Sequence, residues 1–512
     1  MEWYDQREAG TSIHPEIKMS QLANLSAPLA GLVQRFTRYP TTQNHQRAAA
    51  AWLALLYMIG GLAWGYFFAW GKVDANFHDW AAITAPRLTF LKDAVTRLEL
   101  PLHISDPSTL DYITDRYLSV PDAFIAPQTI LLRWMDVGTF VMVDALLLYT
   151  CGFWGLLLVR RRFRLSAAAF TILFLLFNFN GHILAHYSVG HATWGGYFLF
   201  PFFVLGVVEL FDGGRGWGWV ARMALVMGAI YLQGSFHQFV WLLILLGLIG
   251  VCIPRYFWMS LKAAAFSVAV GLFRILPPVL LVDKFNHRFI AGYPTLEYLW
   301  RALVEVAVPG DITLASGMTS AVGWWELTLY IGLLGALFLL GFGLVGWLGA
   351  RRPALERRLL LPLGLLTLLA MGNIYAYIQQ VPVPLFTGER ISARMLSVVL
   401  VFLLVAAAAE FQRRLDEIQH ATWVAAGAIL GLAFMAQDLW QNLRLWKVAS
   451  ARALFPTANF SPADWYVHNN YNDGGYIALV GLGLALSAAA LALLAFLSLR
   501  ERRRRSAQPA NA

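Results

Sequence analysis

The sequence predicts an all-α, polytopic membrane protein of about twelve transmembrane helices. Two observations carry that expectation. Of 512 residues, 58% are hydrophobic and only 13% are charged, and apolar stretches recur along the whole chain. Runs of roughly 18 or more apolar residues have the length that crosses the hydrocarbon as a helix. The Arg and Lys residues behind the net charge of +9 fall in short intervals between these runs. That placement reads as membrane topology rather than as a basic binding face, so no nucleic-acid partner is expected. Cys151 and Cys252 lie inside apolar runs and imply neither a disulfide framework nor a metal cage.

Taken in order, residues 1–47 form a polar, cytoplasmic N-terminal segment with no secretory apolar region and no small-residue cleavage site. Within it, Leu22, Leu25, Leu29, Leu32 and Val33 recur at helical spacing between Met19 and Phe36. They predict an amphipathic helix lying flat on the membrane. The transmembrane domain covers 48–499, with spans expected near 48–70, 137–159, 166–179, 193–211, 217–233, 237–253, 260–282, 327–349, 359–372, 395–411, 421–436 and from Gly475 to Leu499. Arg160 to Arg164, Arg351-Arg352 with Arg357-Arg358, Arg413-Arg414 and Arg500 to Arg505 all fall on one side of this alternation. By the positive-inside rule that side is cytoplasmic, which puts both termini inside and makes the basic tail 500–512 a topology anchor. The intervals 71–136, 283–325, 373–394 and 437–475 then face out.

The first outer loop has structure of its own. Trp80, Ile83, Leu88, Leu91, Val95 and Leu98 keep helical spacing, with Lys92, Asp93, Arg97 and Glu99 between them, as in an amphipathic interfacial helix. An acidic cluster opens the loop, Asp74 and then His78-Asp79. Carboxylates at that interface can act as a general base or hold a divalent cation. For Asp79 the competing role is a helix cap. Further on, Asp106 is expected to initiate a turn, Asp111 lies in the same irregular stretch, and Asp115 and Asp122 either approach the site or, the favoured reading, are solvated.

An acidic residue after the first span, then "LPLHISD", then "APQTILL" leading into a helix that ends in basic residues, opens a series of blocks. "FNFNGHILAHYSVGHATWGGYFLFPFFVLGVVEL", "LFRILPPVLL", "WWELTLYIGLLGALFLL" and "PVPLFTGERISARMLSVVLVFLLVAAAAEF" follow. In this order, from residue 71 to about 415, they resemble the bacterial YfhO-like branch of the GT-C membrane glycosyltransferases. The resemblance implies a GT-C-like fold in the bacterial cytoplasmic membrane and an enzyme of cell-envelope chemistry. Such enzymes transfer a sugar from a polyprenyl-phosphate donor to a glycan, lipid or protein acceptor on the extracytoplasmic side. An acid of the first outer loop serves them as base; Asp79 matches it best and Asp74 is second. The acidic doublet of protein mannosyltransferases has no counterpart here, which leaves the acceptor and the need for a divalent cation, magnesium or manganese, open.

That chemistry also needs cations for the departing phosphate, and Arg meets phosphate oxygens two at a time. Arg390 and Arg394 stand four apart before a span, and Arg274 lies in the seventh expected span beside Pro277-Pro278. For Arg394 and Arg274 the competing role is an internal ion pair with a loop carboxylate. His182, His186 and His191 are expected to bond to phosphate or sugar, or else to support a buried outer turn; a zinc site lacks the further ligand it would want. Glu326 is a substrate-binding candidate beside Trp324-Trp325, which read more simply as interfacial aromatics, and mid-span Asp144 is expected to pair with another helix. Two other classes compete. A transporter or flippase would show repeated halves with interrupted helices and midplane charges; no internal repeat is seen, and the polar residues collect at one face. A noncatalytic membrane subunit would tolerate replacement of Asp79 and the arginines.

Overall fold

The computed structural model describes residues 31, 35–104, 114–279, 281, 291–306, 311–312, 322–351, 353–381, 389–417, 422–457 and 471–507. Nearly all of the amphipathic helix expected from Met19 to Phe36, Asp106 and Asp111, and much of the 283–325 interval lie outside them. Among the described residues, seven helices are long and apolar enough to cross a membrane: Gln43–Phe67, Val137–Phe163, Ala167–Val189, Ala192–Phe211, Gly332–Gly349, Ser392–Glu417 and Gly474–Ser506. The pair Pro254–Val270 and Leu272–Val279, bent by 77°, makes an eighth if it is one span. Trp217–Leu232 and Phe236–Cys252 are apolar but shorter. Leu360–Leu369 with Gly372–Ile378, and Thr422–Trp446, fill the remaining expected segments. The protein is a multi-pass helical membrane protein, and a count near twelve requires the shorter helices to cross as well. The sheet content among the described residues is one antiparallel pair, Asp311–Ile312 with Val322–Gly323.

The third expected span does not end at Phe179. It breaks there and resumes as Gly181–Val189, with both halves buried. Asn180 makes the break tolerable. Its Oδ1 accepts from the amide of Ile183, and its Nδ2 donates to the carbonyls of Leu176 and Phe177. These are the backbone groups that an interrupted helix leaves open, and in an apolar bundle each would be costly unmet.

Side-chain contacts sort the bundle into two ends. At one, Arg160 and Arg164 lie over the ring of Tyr39, Gln412 donates to Thr37 O, Glu410 accepts from the amide of Ala354, and Arg413 pairs with Glu410. Arg160, Arg164 and Arg413, three of the arginines expected to be cytoplasmic, meet here. The opposite end carries the first loop and the polar residues described below.

The first loop packs onto the bundle. Trp80, Leu88 and Leu91 are buried, the Trp80 indole donates to Ser188 O at 2.9 Å, and Thr84 donates to Gly190 O. Gly190 permits this approach: its φ is +105°, and a Cβ there would lie 2.3 Å from the Trp80 nitrogen. The helix Ala85–Arg97 stops where Leu98 turns left-handed at φ 59°. Farther on, Arg116 pairs with Asp473 at 2.7 Å and Tyr476 accepts from the amide of Leu118.

Candidate active site

Asp79 begins a helical segment at Trp80, yet its side chain caps nothing. The carboxylate turns instead to His191, whose Nε2 lies 2.7 Å from Oδ2. His78 Nδ1 stands 3.6 Å from Oδ1. Burial acts to raise the Asp79 pKa, but the His191 hydrogen bond and the charges of His191, His78 and Arg390 outweigh it and bring it down to about 2. Asp79 is therefore ionised across the physiological range. The expected cap role is absent.

Asp79, His191, Arg390 and Arg394 line one cavity, which also reaches Asp122, Asp144 and His237. A strand-like segment positions the arginines. Ala291 bridges Ile391 through bonds of 2.8 Å from its amide to Arg390 O and from the Ser392 amide to its carbonyl. Tyr293 in the same way exchanges bonds with Ala370 and Gly372. Residues 291–293 are thereby wedged between two helix starts, and Arg394 sits in the 3-10 turn Ser392–Met395 that leads into its helix.

Arg394 and Glu326 form a two-pronged pair, Nε to Oε2 and Nη2 to Oε1 both at 2.5 Å, with side chains 4% and 8% exposed. Burial would raise the Glu326 carboxyl, and Arg394 holds it below its ordinary value. The guanidinium also lies over Trp194, 5.0 Å from the ring centroid. Internal ion pairing, the competing role, thus accounts for two donor positions of Arg394. Arg390 differs: it is exposed, and its side chain makes no hydrogen bond or ion pair to a described residue.

His182 and His186 stack behind His191 instead of lining the cavity. Their rings meet edge to face with centroids 4.7 Å apart, and both are fully buried. Two sequence candidates lie elsewhere. Arg274 is buried at the bent helix pair, where Nη1 donates to Leu118 O at 2.7 Å and Nη2 to Val120 O and Ala123 O at 2.9 and 3.1 Å. It clamps the first loop. Asp74 pairs with Arg452 and accepts from the amide of Asn76.

Other expectations change more sharply. Asp122, expected to be solvated, lies 3.1 Å from the buried Arg87 guanidinium and faces the cavity. Asp144 finds its partner in the first loop, accepting at 2.7 Å from Nε2 of Gln128 in the 3-10 helix Pro127–Arg133. Trp324 is buried, and the half-buried Trp325 packs edge-on against His78 at 4.8 Å. Sequence reasoning passed over His237 and Glu389. Glu389 is buried, with Oε2 taking His237 Nδ1 at 3.0 Å and Trp241 Nε1 at 2.8 Å. Burial opposes its ionisation, but His237 and its other donors carry the carboxyl down to about 2. An acid and a histidine at the mouths of apolar helices were the available signal.

Among the described residues no three His, Cys, Asp or Glu side chains converge so as to hold a metal ion.

No protein-family model matches the chain, and no curated protein matches it. Among solved structures, it is similar to the arabinofuranosyltransferase AftD from Mycobacteria, determined by single-particle cryo-EM, at 14% identity and a TM-score of 0.42. The match covers 79% of this chain and 27% of that one, so the chain spans about a quarter of that protein's length.

Proposed function

We propose that this protein is a GT-C-type membrane glycosyltransferase, transferring a sugar from a polyprenyl-phosphate carrier to an acceptor hydroxyl on the extracytoplasmic side of a bacterial cytoplasmic membrane. One observation supports this above the others: an ionised carboxylate with no capping duty, Asp79, shares a cavity with Arg390 and Arg394 at the end of the bundle opposite the basic clusters. In this scheme the acceptor oxygen bonds to the anomeric carbon as the carbon–oxygen bond to the carrier phosphate breaks, with its electron pair leaving on the phosphate. Asp79 Oδ1 takes the hydroxyl proton. A carboxylate held this low is a weak base toward a resting hydroxyl, but that hydroxyl becomes strongly acidic as its oxygen bonds to an electron-poor carbon. Arg390 meets the charge building on the phosphate, and Arg394 offers Nη1 beside its pair with Glu326.

The test compares lipid-linked sugars in cells carrying wild type, Asp79→Asn, Asp74→Asn or Arg390→Ala. Because Asp79 caps nothing, Asp79→Asn should accumulate normally while transfer falls by about 100-fold or more. Arg390→Ala should raise the donor KM with little change in stability. Normal transfer in Asp79→Asn with loss in Asp74→Asn moves the base to Asp74. Normal sugar profiles in all three variants would mean a noncatalytic subunit.

A further inference from the structure

His191 follows Gly190, whose left-handed φ of +105° turns the chain so that the His191 amide donates to His186 O at 2.9 Å. That turn lays the two imidazoles together. Nδ1 faces Nδ1 at 2.7 Å, while the other nitrogen of His191, Nε2, reaches Asp79 Oδ2 at 2.7 Å. His186 is itself immobilised, fully buried and parallel to Trp194 with centroids 4.0 Å apart.

Proton bookkeeping over this chain has one neutral solution. An ionised carboxylate only accepts, so Nε2 of His191 carries a hydrogen. Neutral His191 then has a lone pair at Nδ1, and the hydrogen between the two rings belongs to His186. The buried ring thereby selects the tautomer of the ring that touches the carboxylate.

We propose that His191 is the positioning residue of Asp79: its Nε2–H, in a tautomer set by His186, holds Oδ2 and leaves Oδ1 to face the acceptor hydroxyl. This rests on Asp79 being the base. During transfer the hydroxyl proton goes to Oδ1 while Nε2–H stays on Oδ2, so the carboxyl keeps its orientation through the step and no proton need cross the imidazole. The other charged or titratable groups acting on Asp79 are His78 on its own segment and Arg390 across the cavity, with Arg394 beyond. Neither His78 nor Arg390 makes a hydrogen bond to the carboxylate. The orientation therefore depends on His191.

The test reads the carboxylate directly. Infrared difference spectra of the full chain in lipid nanodiscs, titrated from pH 8 to 3.5 with Asp79→Asn as blank, isolate the Asp79 band without any substrate. The wild-type band should stay ionised to the bottom of the range. In His191→Leu, protonation should move upward by roughly 2 to 3 pH units, into the titrated range, because burial is then less opposed; in His191→Gln, whose amide still donates, it should move less. A His191→Leu titration identical to wild type overturns the proposal. If His191→Leu does not accumulate, His186→Phe keeps a flat ring on Trp194 and removes the shared hydrogen; an unmoved Asp79 band in that variant overturns it equally. Transfer assays separate the two levels. Loss in Asp79→Asn with wild-type rate and acid limb in His191→Leu rejects positioning alone, and normal transfer in Asp79→Asn rejects the base as well.

Discussion

Replacing Arg394 by Met removes the cation from a carboxylate that is 8% exposed and held by two 2.5 Å bonds. An uncompensated buried charge of this kind costs about 3–5 kcal/mol, a large part of the roughly 5–15 kcal/mol that holds a typical domain folded. Glu326→Leu should cost about as much by stranding the guanidinium. The double variant strands neither, and a packed apolar replacement of an ion pair is often close to neutral, so a coupling of about 3 kcal/mol or more is expected. Reversible unfolding by SDS in mixed micelles measures all four corners of the cycle. Simple additivity, with the double variant losing the sum of the singles, would refute the buried pair. Arg394→Lys should fall between, since one ammonium cannot meet both oxygens of Glu326. Damage by lysine therefore cannot by itself assign Arg394 to the donor phosphate. The double variant can: if stability returns while the donor KM stays high, Nη1 reaches the phosphate, and if both return, Arg394 is structural. The sign with pH follows from the lowered Glu326 pKa. The pair's contribution is complete above the ordinary glutamate value of 4.5 and is lost as pH falls below it toward the folded-state value.

Arg274→Gln should release the carbonyls of Leu118, Val120 and Ala123 and destabilise the protein by about 2–4 kcal/mol, with the donor KM unchanged. Hydrogen exchange confined to the first loop, rising around 117–126, is the readout. Gly190→Ala places a Cβ 2.3 Å from a backbone nitrogen in a left-handed conformation, so a loss of about 2–4 kcal/mol or failure to accumulate is expected in the same SDS titration.

The membrane class and the polarity of the bundle were legible because they follow from composition summed over many residues. Arg160 and Arg413, read from the sequence as one side, converge around Tyr39, Thr37 and Ala354. Span ends were less legible. Hydropathy stops at the polar residues after Phe179, whereas the helix resumes after Asn180, whose side chain satisfies the broken backbone and carries His182 and His186 into the interior. Periodicity did find the helix of the first loop, through Leu88 and Leu91. It could not show that Trp80 and Thr84 would anchor it to Ser188 and Gly190, because that contact depends on a glycine over 100 residues away.

Pairing lay beyond the sequence for a further physical reason. Glu389 is five residues from Arg394, off the three- or four-residue spacing that pairs side chains along a helix. The chain is not helical there: the 291–293 segment wedges against 390–392, and only from Ser392 does the backbone begin to wind. Glu389 consequently goes to His237 and Trp241, while Arg394 takes Glu326, 68 residues away. Asp79 shows the same rule from the other side. Its position before a helix invited a capping role, yet the tight packing at Gly190 brings His191 within 2.7 Å and the carboxylate leaves the helix end. A buried charge takes the partner that tertiary packing places beside it, because the cost of leaving it unpaired exceeds the few tenths of a kcal/mol, about 0.2–0.5, that local spacing can contribute.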